Sequence, residues 1–240
     1  MIETIHLTKR YPHVTAVDRL NLTVRPGELF ALLGLNGAGK TTTIKMLSCL
    51  TRPTDGDARV GGHSVTDHPA AVKELIAVSP QETAVAPLLT VRENLELMGG
   101  IHGFSKNKTQ EKIKELTAQF RLQDVLDKKA AVLSGGYGRR VSIAMALIGE
   151  PSVLFLDEPT LGLDVIARGE LWDVIRGLKG QVTVVLTTHY MEEAAALSDR
   201  IGIMSGGRLL AVGTVEELLH RTATTTLEQA FIATVKEETL

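Results

Sequence analysis

Gly34-Leu35-Asn36-Gly37-Ala38-Gly39-Lys40-Thr41 constrains this chain more than any other stretch, because it fits the phosphate-loop pattern G-x-x-x-x-G-K-[ST]. The pattern demands a buried strand before the loop and a helix after it. Glycines let backbone N–H groups approach phosphate oxygens, and the helix start aims its positive end at them. Gly34, Asn36, Gly37, Ala38, Gly39, Lys40, Thr41 and Thr42 are therefore the candidate phosphate-binding set. In that frame Lys40 reaches the β- and γ-phosphates of a nucleotide such as ATP, and the Thr41 hydroxyl ligates Mg²⁺.

Apolar runs at Leu29–Leu33, Val153–Leu156 and Val182–Leu186 read as buried strands of a parallel sheet, continuous because helices cover both faces. Each ends in a polar turn: Gly34 onward, Asp157-Glu158, and Thr187-Thr188-His189. Ligands of open parallel sheets bind at the carboxyl ends of strands, so the three turns point to one site. Ile201–Met204 and Leu209–Val212 read as a hairpin, and the first thirty residues, with Thr23-Val24 before Pro26-Gly27 and Arg59-Val60 before Gly61-Gly62, suggest a small antiparallel sheet. The stretch from about 85 to 149 reads as a helical insert, with helices from the Thr90–Glu93 capping box to about Met98, over Lys108–Phe120, and over Val141–Ile148. A single domain over 1–220 and a short tail with a helix over 221–240 are expected.

Composition excludes several alternatives. A net charge of −2 argues against a protein that grips nucleic-acid backbone. The single cysteine, Cys49, cannot form an internal disulfide, and it reads as a small core side chain late in the helix after the phosphate loop. Trp172 reads as packing. Met1–Thr4 does not open a signal peptide, and no run of about 18 apolar residues spans a membrane.

Val153-Leu154-Phe155-Leu156-Asp157-Glu158 has the Walker B form, an apolar strand ending in acid. Asp157 is expected to hold Mg²⁺ through water, and Glu158 to polarise the attacking water. Between the two motifs lies Leu133-Ser134-Gly135-Gly136-Tyr137, which resembles the signature of the ATP-binding-cassette (ABC) proteins. Tyr11, the phosphate loop, Gln81, the signature, Asp157-Glu158, Asp164 and His189 stand in that family's order, and the resemblance runs from about Thr4 to Leu219.

The resemblance implies an α/β P-loop NTPase (RecA-like) core with a small antiparallel β subdomain and an inserted α-helical subdomain. Tyr11 is similar to the aromatic that stacks on adenine, although a ring before Pro12 can also anchor a turn. Gln81 resembles the glutamine that contacts Mg²⁺ and water. Ser134, Gly135 and Gly136 resemble the turn that binds a γ-phosphate held by a second subunit, Asp164 the aspartate at the dimer contact, and His189 the histidine that touches the γ-phosphate. On this pattern Glu158, His189, Gln81 and Lys40 are the catalytic candidates. Thr41, Gln81 and Asp157 are the candidate Mg²⁺ ligands. Two positions depart from the pattern: Tyr137 replaces the signature's final glutamine and Leu161 a serine. Tyrosine removes one reciprocal bond of a capping box at the helix start.

Family membership implies an ATPase subunit that works as a dimer, a homodimer by expectation, and powers membrane-spanning permease subunits from the cytoplasmic face. The stretch His189–Ala194 through Ile201 is similar to ATPases of drug- and polymer-export systems. About twenty residues follow, where sugar importers of the family carry a large regulatory domain, so export is expected over import. Chromosome-maintenance ATPases of the family insert long coiled coils between positions like Gln81 and Ser134, and the 53-residue separation here has no heptad array. A weakly hydrolysing, degenerate subunit is the remaining alternative, opposed by the intact Glu158 and His189. Val85-Ala86-Pro87-Leu88-Leu89 either docks a short helix of the membrane partner or packs inward.

Overall fold

The computed structural model describes residues 1–238. Its strands are β1 (Ile2–Tyr11), β2 (Val14–Val24), β3 (Leu29–Leu33), β4 (Asp55–Val60), β5 (His63–Ser64), β6 (Ile76–Ser79), β7 (Val153–Asp157), β8 (Thr183–Thr188), β9 (Arg200–Ser205) and β10 (Arg208–Gly213). Its helices are α1 (Lys40–Leu47), α2 (Pro69–Leu75), α3 (Val91–Ile101), α4 (Lys106–Gln119), α5 (Gly135–Leu147), α6 (Val165–Arg176), α7 (Met191–Leu197), α8 (Val215–Thr222) and α9 (Leu227–Glu238).

A six-stranded sheet runs β10-β9-β3-β8-β7-β6, parallel except for the β9–β10 hairpin. Alternate residues of its central strands feed two different cores. Leu29, Ala31, Leu33, Leu154, Leu156, Val184 and Leu186 point to one face, while Phe30, Leu32, Val153, Phe155 and Val185 point to the other. That two-sided burial is why these strands read as unbroken apolar runs. The first core holds apolar residues of α3 to α9, and the second holds Ile44, Met46 and Leu47 of α1 with the small sheet. The small sheet is antiparallel, ordered β2-β1-β4-β5. Leu227 and Phe231 of α9 sit in the first core beside Leu218, so the chain after residue 220 packs onto the same body.

Three helices, α3 to α5, intervene between β6 and β7. The Thr90–Glu93 capping box opens α3 with both reciprocal bonds present. The expected helix over Val141–Ile148 begins earlier, at Gly135, with Ser134 as N-cap. Glycine is a poor helix former, so the apolar pattern alone stopped short of Gly135, Gly136 and Gly138, and only the signature resemblance placed the helix start at Ser134. Cys49 lies just past α1 rather than within it, with φ 56° and its thiol 3.6 Å from the Val65 carbonyl. It is half-buried against the second core, and burial raises its pKa. Trp172 is packed against the first core, as expected.

Candidate nucleotide site

Register places the three polar turns side by side. Leu33 of β3 pairs with Thr188 of β8, and Thr187 of β8 pairs with Asp157 of β7. The phosphate loop, Asp157-Glu158 and His189 therefore leave adjacent strand ends and meet at a cleft of about 640 Å³.

The loop's close packing requires glycine. A Cβ on Gly34 would sit 2.5 Å from the Met204 carbonyl, and one on Gly39 2.3 Å from the Ala16 carbonyl. Gly39 is the N-cap of α1 at φ 101° and contributes no side-chain cap, so the first N–H groups of α1 stay available to an anion. Lys40 is buried; its Nζ donates to the carbonyls of Gly34 at 2.8 Å and Leu35 at 3.2 Å, and lies 3.3 Å from Glu158 Oε1. These contacts aim the ammonium back over its own loop.

Asp157 closes β7. Its Oδ1 accepts hydrogen bonds from the hydroxyls of Thr41 at 3.0 Å and Thr187 at 2.6 Å. Hard oxygens of one carboxylate and one hydroxyl suit Mg²⁺, which binds through one or two protein oxygens plus waters and phosphate. Among the described residues no cluster of three or more acidic, His or Cys side chains forms an all-protein metal cage. The donor set thus fits a cation that arrives with a nucleotide.

Glu158 takes φ 50°, a left-handed conformation rare for a residue with a side chain. Its N–H is pinned by the carbonyl and the hydroxyl of Thr187, each at 3.1 Å. Buried beside Lys40, its Oε2 meets His189 Nδ1 at 2.5 Å. The imidazole donates from Nδ1, which leaves Nε2 for another partner. The His189 ring lies 4.1 Å from that of Tyr190, whose far neighbour is the Arg168 guanidinium at 5.8 Å.

Tyr11, Asn36, Gly37, Ala38, Gly39, Lys40, Thr41, Thr42, Gln81, Glu158 and His189 line the cleft among the residues expected there. Tyr11 is exposed, with Lys9 Nζ 5.3 Å above its ring, so the ring is open to a stacking base. Ser134, Gly135, Gly136 and Asp164 lie outside the cleft. They share a different edge, where Gly136 packs so tightly on Ala167 that an added Cβ would come within 2.9 Å. The Asp164 carboxylate caps α6, accepting from the N–H groups of Ile166 and Ala167 at 2.9 Å each. The Ser134 cap is long, its Oγ accepting from the Tyr137 N–H at 3.5 Å, and the Tyr137 ring lies 4.3 Å from the Arg140 guanidinium.

Sequence reasoning placed Thr187 in a polar turn at the site but gave it no role of its own; its hydroxyl touches both Asp157 and the Glu158 backbone. Sequence reasoning missed Val14, Thr15, Ala16 and Gly206, which join Tyr11 in the cleft wall. The position of Thr187 directly before Thr188-His189 was a usable signal. The β2 residues carry none, since they reach the cleft only through the small sheet's packing.

The family model for ABC transporters matches residues 17–161. The chain belongs to the ABC transporter family. It is 46% identical over 218 residues to the daunorubicin/doxorubicin resistance ATP-binding protein DrrA of Streptomyces peucetius, covering 90% of this chain and 66% of that protein. It is 36% identical to the linearmycin resistance ATP-binding protein LnrL of Bacillus subtilis, covering 99% of this chain and 76% of LnrL. The chain thus spans just under two thirds of the length of the Streptomyces peucetius relative. Among solved structures, an ATP-binding subunit of an ABC transporter superposes with a TM-score of 0.86 at 29% identity, covering 98% of this chain and 99% of that one. A dimeric, post-hydrolysis cassette bound to ADP and Pi, MJ0796, superposes at 0.79 with 26% identity, covering 89% of this chain and 98% of that one. The ABC cassette architecture matches the α/β core, small antiparallel sheet and helical insert described above.

Proposed function

We propose that this chain binds and hydrolyses ATP with Mg²⁺ and drives a membrane exporter through closure of a cassette dimer. The observation that carries the reading is the convergence of Lys40, Glu158 and His189 at the phosphate loop, with Glu158 in contact with both others. The loop N–H groups and Lys40 hold the phosphates, and Tyr11 stacks on the base. Thr41 and Asp157 hold Mg²⁺, with Gln81 at the cleft wall; when bound, the ion neutralises charge on the phosphate oxygens. Glu158 takes up hydrogen-bond contact with the attacking water and orients it. Carrying a hydrogen on both ring nitrogens, His189 donates from Nδ1 to Glu158 and from Nε2 to the γ-phosphate.

Ser134, Gly135 and Gly136 would reach ATP held by a second copy of the chain, with Asp164 at the contact; their shared edge outside the cleft supports this. A head-to-tail pair of identical chains gives two equivalent sites about a two-fold axis. The drug-resistance names of the relatives support export, and permease subunits would hold the dimer at the cytoplasmic face of the membrane. No helix among the described residues is long and apolar enough to cross a membrane. A coupled ATPase assay on the purified chain tests the reading: turnover should require Mg²⁺ and rise in specific activity with protein concentration. A rate independent of concentration from a demonstrated monomer would remove the shared-site part. No turnover at all would remove the catalytic part.

A further inference from the structure

Three consecutive residues at the end of β6 are tied to α5. Ser79 Oγ shares a hydrogen bond with Ser142 Oγ at 3.1 Å. The Arg139 guanidinium donates from Nη1 to the Pro80 carbonyl at 2.6 Å and from Nη2 to the Gln81 carbonyl at 2.5 Å. Thr83 also lies beside this helix, 3.7 Å from where a Cβ on Gly138 would be. Pro80 has no N–H to extend strand pairing, so the chain leaves the sheet there. Beyond it, residues 81–84 are exposed. Arg139 is therefore what sets the direction in which the Gln81 segment departs.

Arg139 is itself costly. It is buried, burial lowers its pKa, and Asp157 supplies an opposing, favourable charge. Two carbonyl oxygens spaced along one backbone match the planar fork of a guanidinium and no other side chain. A buried cation retained without a carboxylate in its grip points to a geometric task. Arg139 also sits five residues after Ser134, on a helix that rises about 1.5 Å per residue, so Ser134–Gly136 and Arg139 move as one rod.

We propose that Arg139 is a positioning residue that locks the Gln81 segment to the turn at Ser134–Gly136, so that nucleotide contact at one displaces the other. The proposal rests on the ATPase reading above and names the side chain that joins the two halves of the composite site. Gln81 faces the cleft of its own chain, while Ser134–Gly136 would face the partner's nucleotide. A rigid connection between them gives each site a means to register occupancy of the other.

The test uses the full chain with Arg139→Gln and Arg139→Lys, read in two ways. The carbonyl ¹³C resonances of Pro80 and Gln81, recorded without nucleotide, should move upfield in Arg139→Gln as their hydrogen-bond donor is lost, while those of β3 and β7 stay unchanged. Arg139→Lys keeps the charge but cannot bridge both carbonyls in one plane, so it should restore the wild-type resonance at one of them at most. In steady-state ATP titrations Arg139→Gln should lower kcat at least tenfold, change KM less than threefold, and bring the Hill coefficient to 1. Wild-type carbonyl resonances at Pro80 and Gln81 in Arg139→Gln would overturn the proposal. So would a kcat loss accompanied by an equal loss of ATP binding. Should Arg139→Gln fail to fold, Arg139→Lys gives the same readouts with smaller changes. If the wild-type chain turns over no ATP, the ATPase reading fails, and the carbonyl resonances still decide whether Arg139 holds the loop.

Discussion

Lys40 Nζ and Glu158 Oε1 lie 3.3 Å apart, and both side chains are more than nine-tenths buried. The γ-phosphate and Glu158 are thus rivals for one ammonium. Removing the carboxylate's charge frees Lys40 for phosphate and deprives the water of its base. Glu158→Gln should bind ATP as tightly as wild type or more tightly, while turnover falls on the order of 10²-fold or more. Lys40→Ala should lose nucleotide binding itself. Equilibrium binding of a fluorescent ATP analogue beside an ATPase assay checks both; equal loss of binding in the two variants would end this division of labour.

Tyr137 and Arg140 give a second expectation. The ring is half-buried against the first core and lies 4.3 Å from the guanidinium, which also pairs with Glu170 at 3.2 Å. Tyr137→Gln restores a capping partner for Ser134 and removes the ring. The capping gain and the cation–π loss are each about 1 kcal/mol, so stability should move by less than about 2 kcal/mol either way. The ATPase rate should stay within about threefold of wild type. A collapse of activity at unchanged melting temperature would assign the tyrosine a direct role at the dimer contact.

The core of the site was legible because its chemistry is local. Residues 34–41 form one continuous loop, Asp157-Glu158 end one strand, and His189 follows another, so spacing and apolar runs sufficed. Parallel order then brought them together, as the register Asp157 to Thr187 and Leu33 to Thr188 shows. What stayed hidden is held by long-range contacts. Arg139 grips carbonyls 58 and 59 residues away, and carbonyls leave no mark in a sequence. The glycine-rich start of α5 shows no apolar period, so only the signature resemblance marked it; Gly136 lets it pack closely on Ala167 of α6. Short α2 and β6 carry too few residues for any period to declare itself.

Leu88 resolves one open question from the sequence. It is 78% exposed, whereas Val85 packs on the first core. The stretch therefore divides, with Val85 inward and Leu88 outward beside an exposed Pro87. Leu88→Asp should leave the fold and basal ATPase intact and should weaken coupling to a membrane partner. Circular dichroism and an ATPase assay on the isolated chain check the first half, and efflux in cells carrying the exporter proposed above, permease included, checks the second. Unchanged efflux would show that this surface does not meet the partner.

Glu193 is fully buried on α7, where its Oε1 accepts from Thr160 Oγ1 at 2.7 Å and Trp172 Nε1 at 3.3 Å. Oε2 has no hydrogen-bond partner of good geometry. Burial pushes this carboxyl above the usual range; Thr188, Thr160 and Trp172 donors pull it down, and the nearby Glu158 charge pushes it up again. A carboxyl whose pKa is raised by folding contributes its full stability only below the unfolded value, about 4.3. That contribution is lost as pH rises toward the folded value, because the unfolded chain ionises first. Glu193→Gln mimics the protonated form at every pH. Its melting temperature relative to wild type should therefore climb as pH rises from about 4.3 and level off once wild-type Glu193 ionises in place. Melting curves of both proteins from acid to neutral pH measure this. A difference that shrinks with rising pH would mean that Glu193 is held as the anion, with Thr160 and Trp172 outweighing burial.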